Sequence, residues 1–120
     1  MDNFRMRLLC IDDDSAGLAL RKAFLESAGY DVRIAGSGRE GVRLVASQPF
    51  DAVILDYDMP RTNGGTLASA IRKIRHQLPI IMMLSGAVSV PAKILASGDS
   101  FITKGQSPAL LLSKIQELLA

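Results

Sequence analysis

The sequence has no tryptophan, one histidine and one cysteine, and aromatic residues make up 5% of its 120 positions. A single cysteine, Cys10, excludes an internal disulfide and a zinc site built from cysteines. It also fits a reducing, cytoplasmic compartment. A single histidine, His76, leaves no histidine-clustered metal centre. Long apolar runs are missing as well. A run such as residues 79–84 is far below the ~20 residues of a membrane-spanning helix. Residues 1–7 carry Asp2, Arg5 and Arg7 and lead into only four apolar residues, 8–11. A secretory signal needs roughly 7–15 there. Neither membrane insertion nor secretion is expected.

What is present suits one packed domain: 48% hydrophobic and 22% charged residues, with a net charge of +2. A chain of this length buries a real core and leaves little room for a second module such as a DNA-binding output domain. The charge is unevenly placed. Residues 1–60 hold ten acids and seven bases; residues 61–120 hold two acids and seven bases. The bases of the second half are scattered and lack aromatics to stack nucleobases, so they read as a solvated surface, without direct nucleic-acid contact. Five of the early acids form two clusters: Asp12, Asp13 and Asp14, then Asp56 and Asp58.

The elements alternate. Residues 8–11 form an apolar strand that stops at Asp12. Ser15 offers an N-cap for a helix with Leu20, Phe24 and Ala28 inward and Arg21, Lys22 and Glu26 outward, ended by Gly29. A short strand follows over Val32, Ile34 and Ala35. A second amphipathic helix over 39–47 is closed by Pro49. Residues 52–55 form a strand that stops at Asp56. Residues 60–65 read as a loop, and 67–75 as a helix with Leu67, Ala70, Ile71 and Ile74 inward. A strand over 80–84 ends at Ser85-Gly86. Residues 90–97 fit one short helix, and 101–103 a strand ending at Lys104-Gly105. Ser107-Pro108 caps a last helix whose apolar face is Leu111, Leu112, Ile115, Leu118 and Leu119. Continuous apolar strands alternating with helices predict an α/β domain, a doubly wound parallel sheet covered on both faces.

In such sheets the working site lies beyond the carboxyl ends of the strands. Asp12 and Asp13, Asp56, Ser85 and Lys104 each end a different predicted strand, so they converge on one edge. Clustered carboxylates repel unless a cation or protons compensate. All-oxygen donors favour Mg²⁺, with Mn²⁺ a possible substitute. A carboxylate at such a site can act as a nucleophile toward phosphorus. Phosphoryl transfer needs mainly positioning and charge neutralisation. The ion would neutralise one transferring oxygen and the Lys104 ammonium a second, while the Ser85 hydroxyl with nearby backbone N–H groups can hold the third.

The segments LLCIDDD, DAVILDYDMPRTNGG, IIMMLSG and SFITKG resemble the response-regulator receiver domain of two-component signalling, in order and across essentially the whole chain. The resemblance implies one receiver domain over residues 1–120 with a flavodoxin-like, five-stranded sheet of order 2-1-3-4-5. It implies that Asp56 is the phosphoacceptor and that Asp13 ligates Mg²⁺ directly. Asp12 would bind the ion through water, and the backbone carbonyl of Asp58 would be a further ligand. Lys104 pairs with the phosphoryl group, Ser85 is the switch hydroxyl, and Phe101 stands at the aromatic switch position. The implied donor is a phosphohistidine on a sensor histidine kinase or histidine phosphotransfer protein. The implied reader is a downstream protein that the sequence does not name. Such a chain is a substrate and switch, not an enzyme, and a monomer or weak dimer.

Two departures stand out. Gly105 follows Lys104 where the family usually has a proline joined by a cis peptide; a trans bond or a rearranged loop is expected here. Eighteen residues separate Ser85 from Lys104, fewer than is usual, which predicts a shortened fourth helix. Asn63 reads as a turn residue. Asp14 reads as a solvated or helix-terminal acid, and Cys10 as an inert buried thiol. Met82 and Met83 read as core filling, and His76 as a helix-end charge. Two alternatives use the same residues. A receiver-fold binding module that no longer uses phosphate is compatible with Gly105 and the short segment before Phe101. A haloacid-dehalogenase-type phosphatase would use Asp56-x-Asp58 as nucleophile and general acid, but there that pair follows the first strand, whereas here Asp12-Asp13 does.

Overall fold

The computed structural model describes residues 4–85, 91–95 and 100–120. Five parallel strands form one sheet: β1 (Arg7–Ile11), β2 (Asp31–Ala35), β3 (Ala52–Asp56), β6 (Ile80–Leu84) and β7 (Ser100–Thr103), in the order β2-β1-β3-β6-β7. Counting only these strands, this is the expected order 2-1-3-4-5. The numbering gains two because the predicted loop over 60–65 carries a small antiparallel ribbon, β4 (Asp58–Met59) with β5 (Thr62–Asn63). Two-residue strands have no periodicity for sequence reasoning to detect.

β1 and β3 lie inside the sheet, and residues 8–11 and 52–55 have no exposed surface. Their alternate side chains build two separate cores. Leu9, Ile11, Val53 and Leu55 pack under α2 (Gly38–Ser47) and α3 (Gly64–Ile74), against Val45, Leu67 and Ile71. Leu8, Cys10, Ala52 and Ile54 pack under α1 (Ser15–Ser27) and α5 (Pro108–Leu119), against Leu18, Leu25, Leu111 and Ile115. Burial on both faces explains why these strands read as unbroken apolar runs. Met82 and Met83 fall in opposite cores, as filling.

Three local expectations need correction. The N-cap of α1 is Asp14, with Ser15 as the first helical residue. Of the expected inner face of α1, Phe24 packs against the core beside Leu18 and Leu25, while Leu20 is 74% exposed and Ala28 is exposed. The helix is apolar on several sides, so spacing alone did not fix its phase. Finally, α3 starts at Gly64 rather than 67, because the Asn63 side chain accepts a hydrogen bond from the Thr66 amide at 2.8 Å and acts as its N-cap.

The other boundaries hold within a residue or two. Ser37 caps α2, Ser107 caps α5 with Pro108 in its first turn, and Gly29 closes α1 at φ 102°. Of the segment 90–97, the described part holds a four-residue helix, α4 (Ala92–Leu95). Val90, Ala96 and Ser97 lie outside the described residues. The expected shortening of the fourth helix concerns residues 86–99, of which only 91–95 are described.

Candidate functional site

The carboxyl edge of the sheet is fixed by strand pairing that overruns the strands. The Asp12 amide donates to Ala35 O at 3.1 Å, Tyr57 to Met83 O at 3.0 Å, and Lys104 to Leu84 O at 2.7 Å. Each bond continues a parallel ladder one residue past its end. The backbone at 12, 57 and 104 is therefore held relative to its neighbour strand, and Asp56 is still paired with Met83 in register.

Asp12 and Asp56 are the buried charged residues of the described chain, at 1% and 3% exposure. They are held alike. The Asp14 amide donates to Asp12 Oδ1 at 3.0 Å, and the Asp58 amide donates to Asp56 Oδ1 at 3.1 Å. Both are local turns in which an aspartate bonds the backbone two residues on. The Oδ2 atoms face each other across Lys104. Its Nζ lies 2.8 Å from Asp56 Oδ2 and 3.6 Å from Asp12 Oδ2. Asp13 is exposed beside them. Carboxylate oxygens of Asp12, Asp13 and Asp56 lie within 4.8 Å of one another, close enough to hold one metal ion. Asp58 is exposed in β4, on the chain that leaves Asp56.

Four of the expected residues thus meet: Asp12, Asp13, Asp56 and Lys104. Ser85 is half-buried directly after β6, next to the Leu84 carbonyl that receives the Lys104 amide. Phe101 is half-buried and packs against the α2–α3 core. Neither belongs to the charged cluster.

Sequence reasoning missed Arg21. It sits at the inner position between Leu18 and Leu25, three and four residues away, and its side chain is 14% exposed. Its Nη2 reaches Asp12 Oδ2 at 3.5 Å. Taking Leu18 and Leu25 as the helix phase would have found it.

The electrostatics separate the two buried carboxyls. Burial pushes Asp12 up, but the Asp14 amide, Lys104 and Arg21 outweigh it and hold its pKa below the usual carboxylate range. Burial also pushes Asp56 up, helped by the charge of Asp12. Lys104 and the Asp58 amide offset only part of that, so Asp56 stays raised. Burial would lower Lys104, yet its bond to Asp56 and the charge of Asp12 keep its pKa raised and the ammonium charged. Oxygen donors on three acids, two of them buried and crowded, fit a hard divalent cation.

The residues around the site behave as follows. Burial drives the Cys10 thiol up to about 12, so it is inert at neutral pH. His76 is exposed beyond the α3 C-cap, at the opposite edge of the sheet. Gly105 has φ 86°, and no peptide bond among the described residues is cis. Proline cannot adopt that φ. The chain after Lys104 therefore follows a path that a proline there would forbid.

A sequence model described as the response regulator receiver domain matches residues 8–116. A response regulator MprA of Mycolicibacterium vanbaalenii is 34% identical over 95% of this chain and 50% of its own length. A transcriptional regulatory protein RprY of Bacteroides fragilis is 29% identical over 99% of this chain and 51% of its own. The chain thus spans about half the length of the curated relatives it matches. A CheY-like receiver domain of Methanospirillum hungatei superposes with a TM-score of 0.89 at 33% identity, covering 97% of this chain and 94% of that one. The chemotaxis protein CheY4 of Vibrio cholerae gives 0.85 at 28% identity, over 97% and 100%.

Proposed function

The chain belongs to the response-regulator receiver domain family, and from that premise we propose that it is a Mg²⁺-dependent phosphoacceptor switch. The observation that carries this reading is the Lys104 ammonium, 2.8 Å from Asp56 Oδ2 at the rim of a three-carboxylate cluster. That is a nucleophile, a cation for the transferring oxygens and a metal-ligand set at one sheet edge.

Asp56 supplies the nucleophilic oxygen. A P–O bond forms to it as the P–N bond of a phosphohistidine breaks, and the imidazole nitrogen keeps the electron pair. Asp13, Asp56 and the main-chain carbonyl of Asp58 would hold the ion, with Asp12 joining through water. When bound, Mg²⁺ neutralises charge on the phosphoryl oxygens. Lys104 neutralises a second oxygen, and the Ser85 hydroxyl holds a third. In this reading Ser85 moves toward the phosphoryl group and Phe101 takes up the vacated space. That shifts the population between two surfaces and changes the affinity for a downstream protein.

The donor is a sensor histidine kinase or a phosphotransfer protein, in a cytoplasmic setting. Among the described residues no helix is long and apolar enough to cross a membrane. The chain acts as substrate and switch rather than as an enzyme, within one receiver domain over residues 1–120, as a monomer or weak dimer, without contacting nucleic acid.

The test is intact mass after incubation with Mg²⁺ and acetyl phosphate, with Asp56→Asn alongside. One phosphoryl adduct that needs both Mg²⁺ and Asp56 is the expected result. No adduct, together with no Mg²⁺-dependent binding of beryllofluoride, would overturn the switch and leave a phosphate-independent binding module.

A further inference from the structure

Arg21 is an unusual residue for its place. Positions 18, 21 and 25 share one face of α1, and Leu18 and Leu25 are 2% and 0% exposed. An arginine on that inner stripe is costly to desolvate unless it is paired. Its ion pair is with Asp12, at 3.5 Å, on the oxygen that also faces Lys104. The guanidinium cannot shed its proton, so this is a permanent charge set behind the carboxylate cluster.

We propose that Arg21 is a positioning residue that tunes the affinity of the divalent-cation site by neutralising Asp12 from behind. The inference rests on the reading of that site as a Mg²⁺ site. Asp12, Asp13 and Asp56 bring three negative charges; Lys104 and Arg21 leave one of them uncompensated. Without Arg21 two would remain, and a divalent cation would enter a more negative cavity. Arg21 thus does two things. It stabilises the cluster while no ion is bound, and it keeps the ion exchangeable by opposing it. Asp12 keeps its orientation without Arg21, because its other oxygen is held by the Asp14 amide at 3.0 Å.

The experiment is Mg²⁺ binding to the full chain by calorimetry at fixed ionic strength, with the melting temperature of each ion-free variant as a check on folding. The variants are Arg21→Met, Arg21→Lys, Arg21→Gln and, to locate the site, Asp13→Asn. Arg21→Met keeps the length and the apolar stem and removes the charge. It should tighten the Mg²⁺ dissociation constant about 3- to 10-fold, the scale of one unit charge a few ångströms from the ion in a polar surrounding. Arg21→Lys should stay within about twofold of wild type, because charge and not packing is the cause. Should Arg21→Met fail to fold, Arg21→Gln carries the same expectation.

Unchanged or weaker binding in folded Arg21→Met would overturn the inference, as would equal tightening in Arg21→Lys. If the wild type and Asp13→Asn do not differ in Mg²⁺ binding, the metal-site reading itself fails and takes this inference with it.

Discussion

The same small change, glycine to alanine, should have opposite consequences at two helical positions. At Gly64 an added Cβ would lie 2.7 Å from the Tyr57 Cα and from Tyr57 Cδ1, and 3.0 Å from Leu55 Cδ1. Carbon atoms pack at about 3.5–4.0 Å, so roughly an ångström must be found. One of the obstacles is main chain. Tyr57 is pinned from both sides: its amide donates to Met83 O at 3.0 Å, and its carbonyl accepts from Gly64 itself at 2.7 Å. Over-packing costs about 1–3 kcal/mol, and a rigid obstacle puts this case in the upper half. Helix propensity returns little, because Gly64 is the first residue of α3. A loss of about 2–3 kcal/mol follows, and at about 2.1 cal/mol/K per residue this lowers Tm by about 8–12 °C. At Gly17 the added Cβ meets the tip of Asp14, 2.8 Å from Oδ2. Asp14 is exposed and its side chain can swing away. The gain from alanine in a helix, about 0.5–1 kcal/mol, then raises Tm by about 2–4 °C. Thermal unfolding of the two variants by circular dichroism decides the matter. A Gly64→Ala protein melting within about 2 °C of wild type would refute the reasoning, since no close approach to Tyr57 could then exist.

Other expectations follow from the site and its supports. Asp56 has a raised pKa in the fold, so ionising it weakens the fold as pH climbs above the ordinary carboxylate value; Asp12 is lowered, and its stabilisation is lost as pH falls through that range. Without Mg²⁺, Asp56→Asn should therefore raise Tm at pH 7 and Asp12→Asn should lower it. Both differences should shrink near pH 3, and melts at the two pH values check this. Cys10, ordinarily near 9.0 and pushed up to about 12 in the fold, stabilises fully below pH 9 and loses that contribution as pH rises toward 12. At pH 10 Cys10→Val should be spared about 1.4 kcal/mol of the alkaline destabilisation seen in wild type, measured by urea unfolding at pH 8 and pH 10. Asn63→Ala removes the α3 cap and should cost about 1 kcal/mol in the same assay, with Asn63→Asp close to wild type.

The strand ends were legible because an unbroken apolar run that stops at a charge is difficult to read in any other way. Asp12, Asp56 and Lys104 each stand at such a stop, and the backbone pairing past the strand ends is what makes those stops coincide in space. The phase of α1 was not legible. Leu20-Phe24-Ala28 and Leu18-Leu25 are both plausible inner stripes; packing against the sheet selects Leu18 and Leu25 with Phe24 beside them, and leaves Leu20 and Ala28 exposed. That error concealed Arg21, because the wrong phase turned it to solvent. The β4–β5 ribbon and the early start of α3 depend on backbone bonds and on a cap, and Asn63 reads equally well as a turn residue. Gly105 was legible as a departure, but its left-handed φ is a property of the path and not of the residue type.

β1 and β3 each serve as a wall between two cores that do not otherwise share side chains, with Leu9 and Ile11 on one side and Leu8 and Cys10 on the other. The two aspartates at the tips of these walls are therefore loaded from both directions. A methylene added or removed under α2 and α3, or under α1 and α5, shifts the same pair of carboxylates, because tight packing transmits displacement along a stiff strand. Random mutagenesis for altered Mg²⁺ binding should then return hits sorted by strand rather than by distance. Substitutions touching β1 and β3 from either layer should outnumber equally near ones in the outer strand β2. The sheet works as a common lever for two independently packed layers, and the place where both layers can be sensed is the edge where the acids stand.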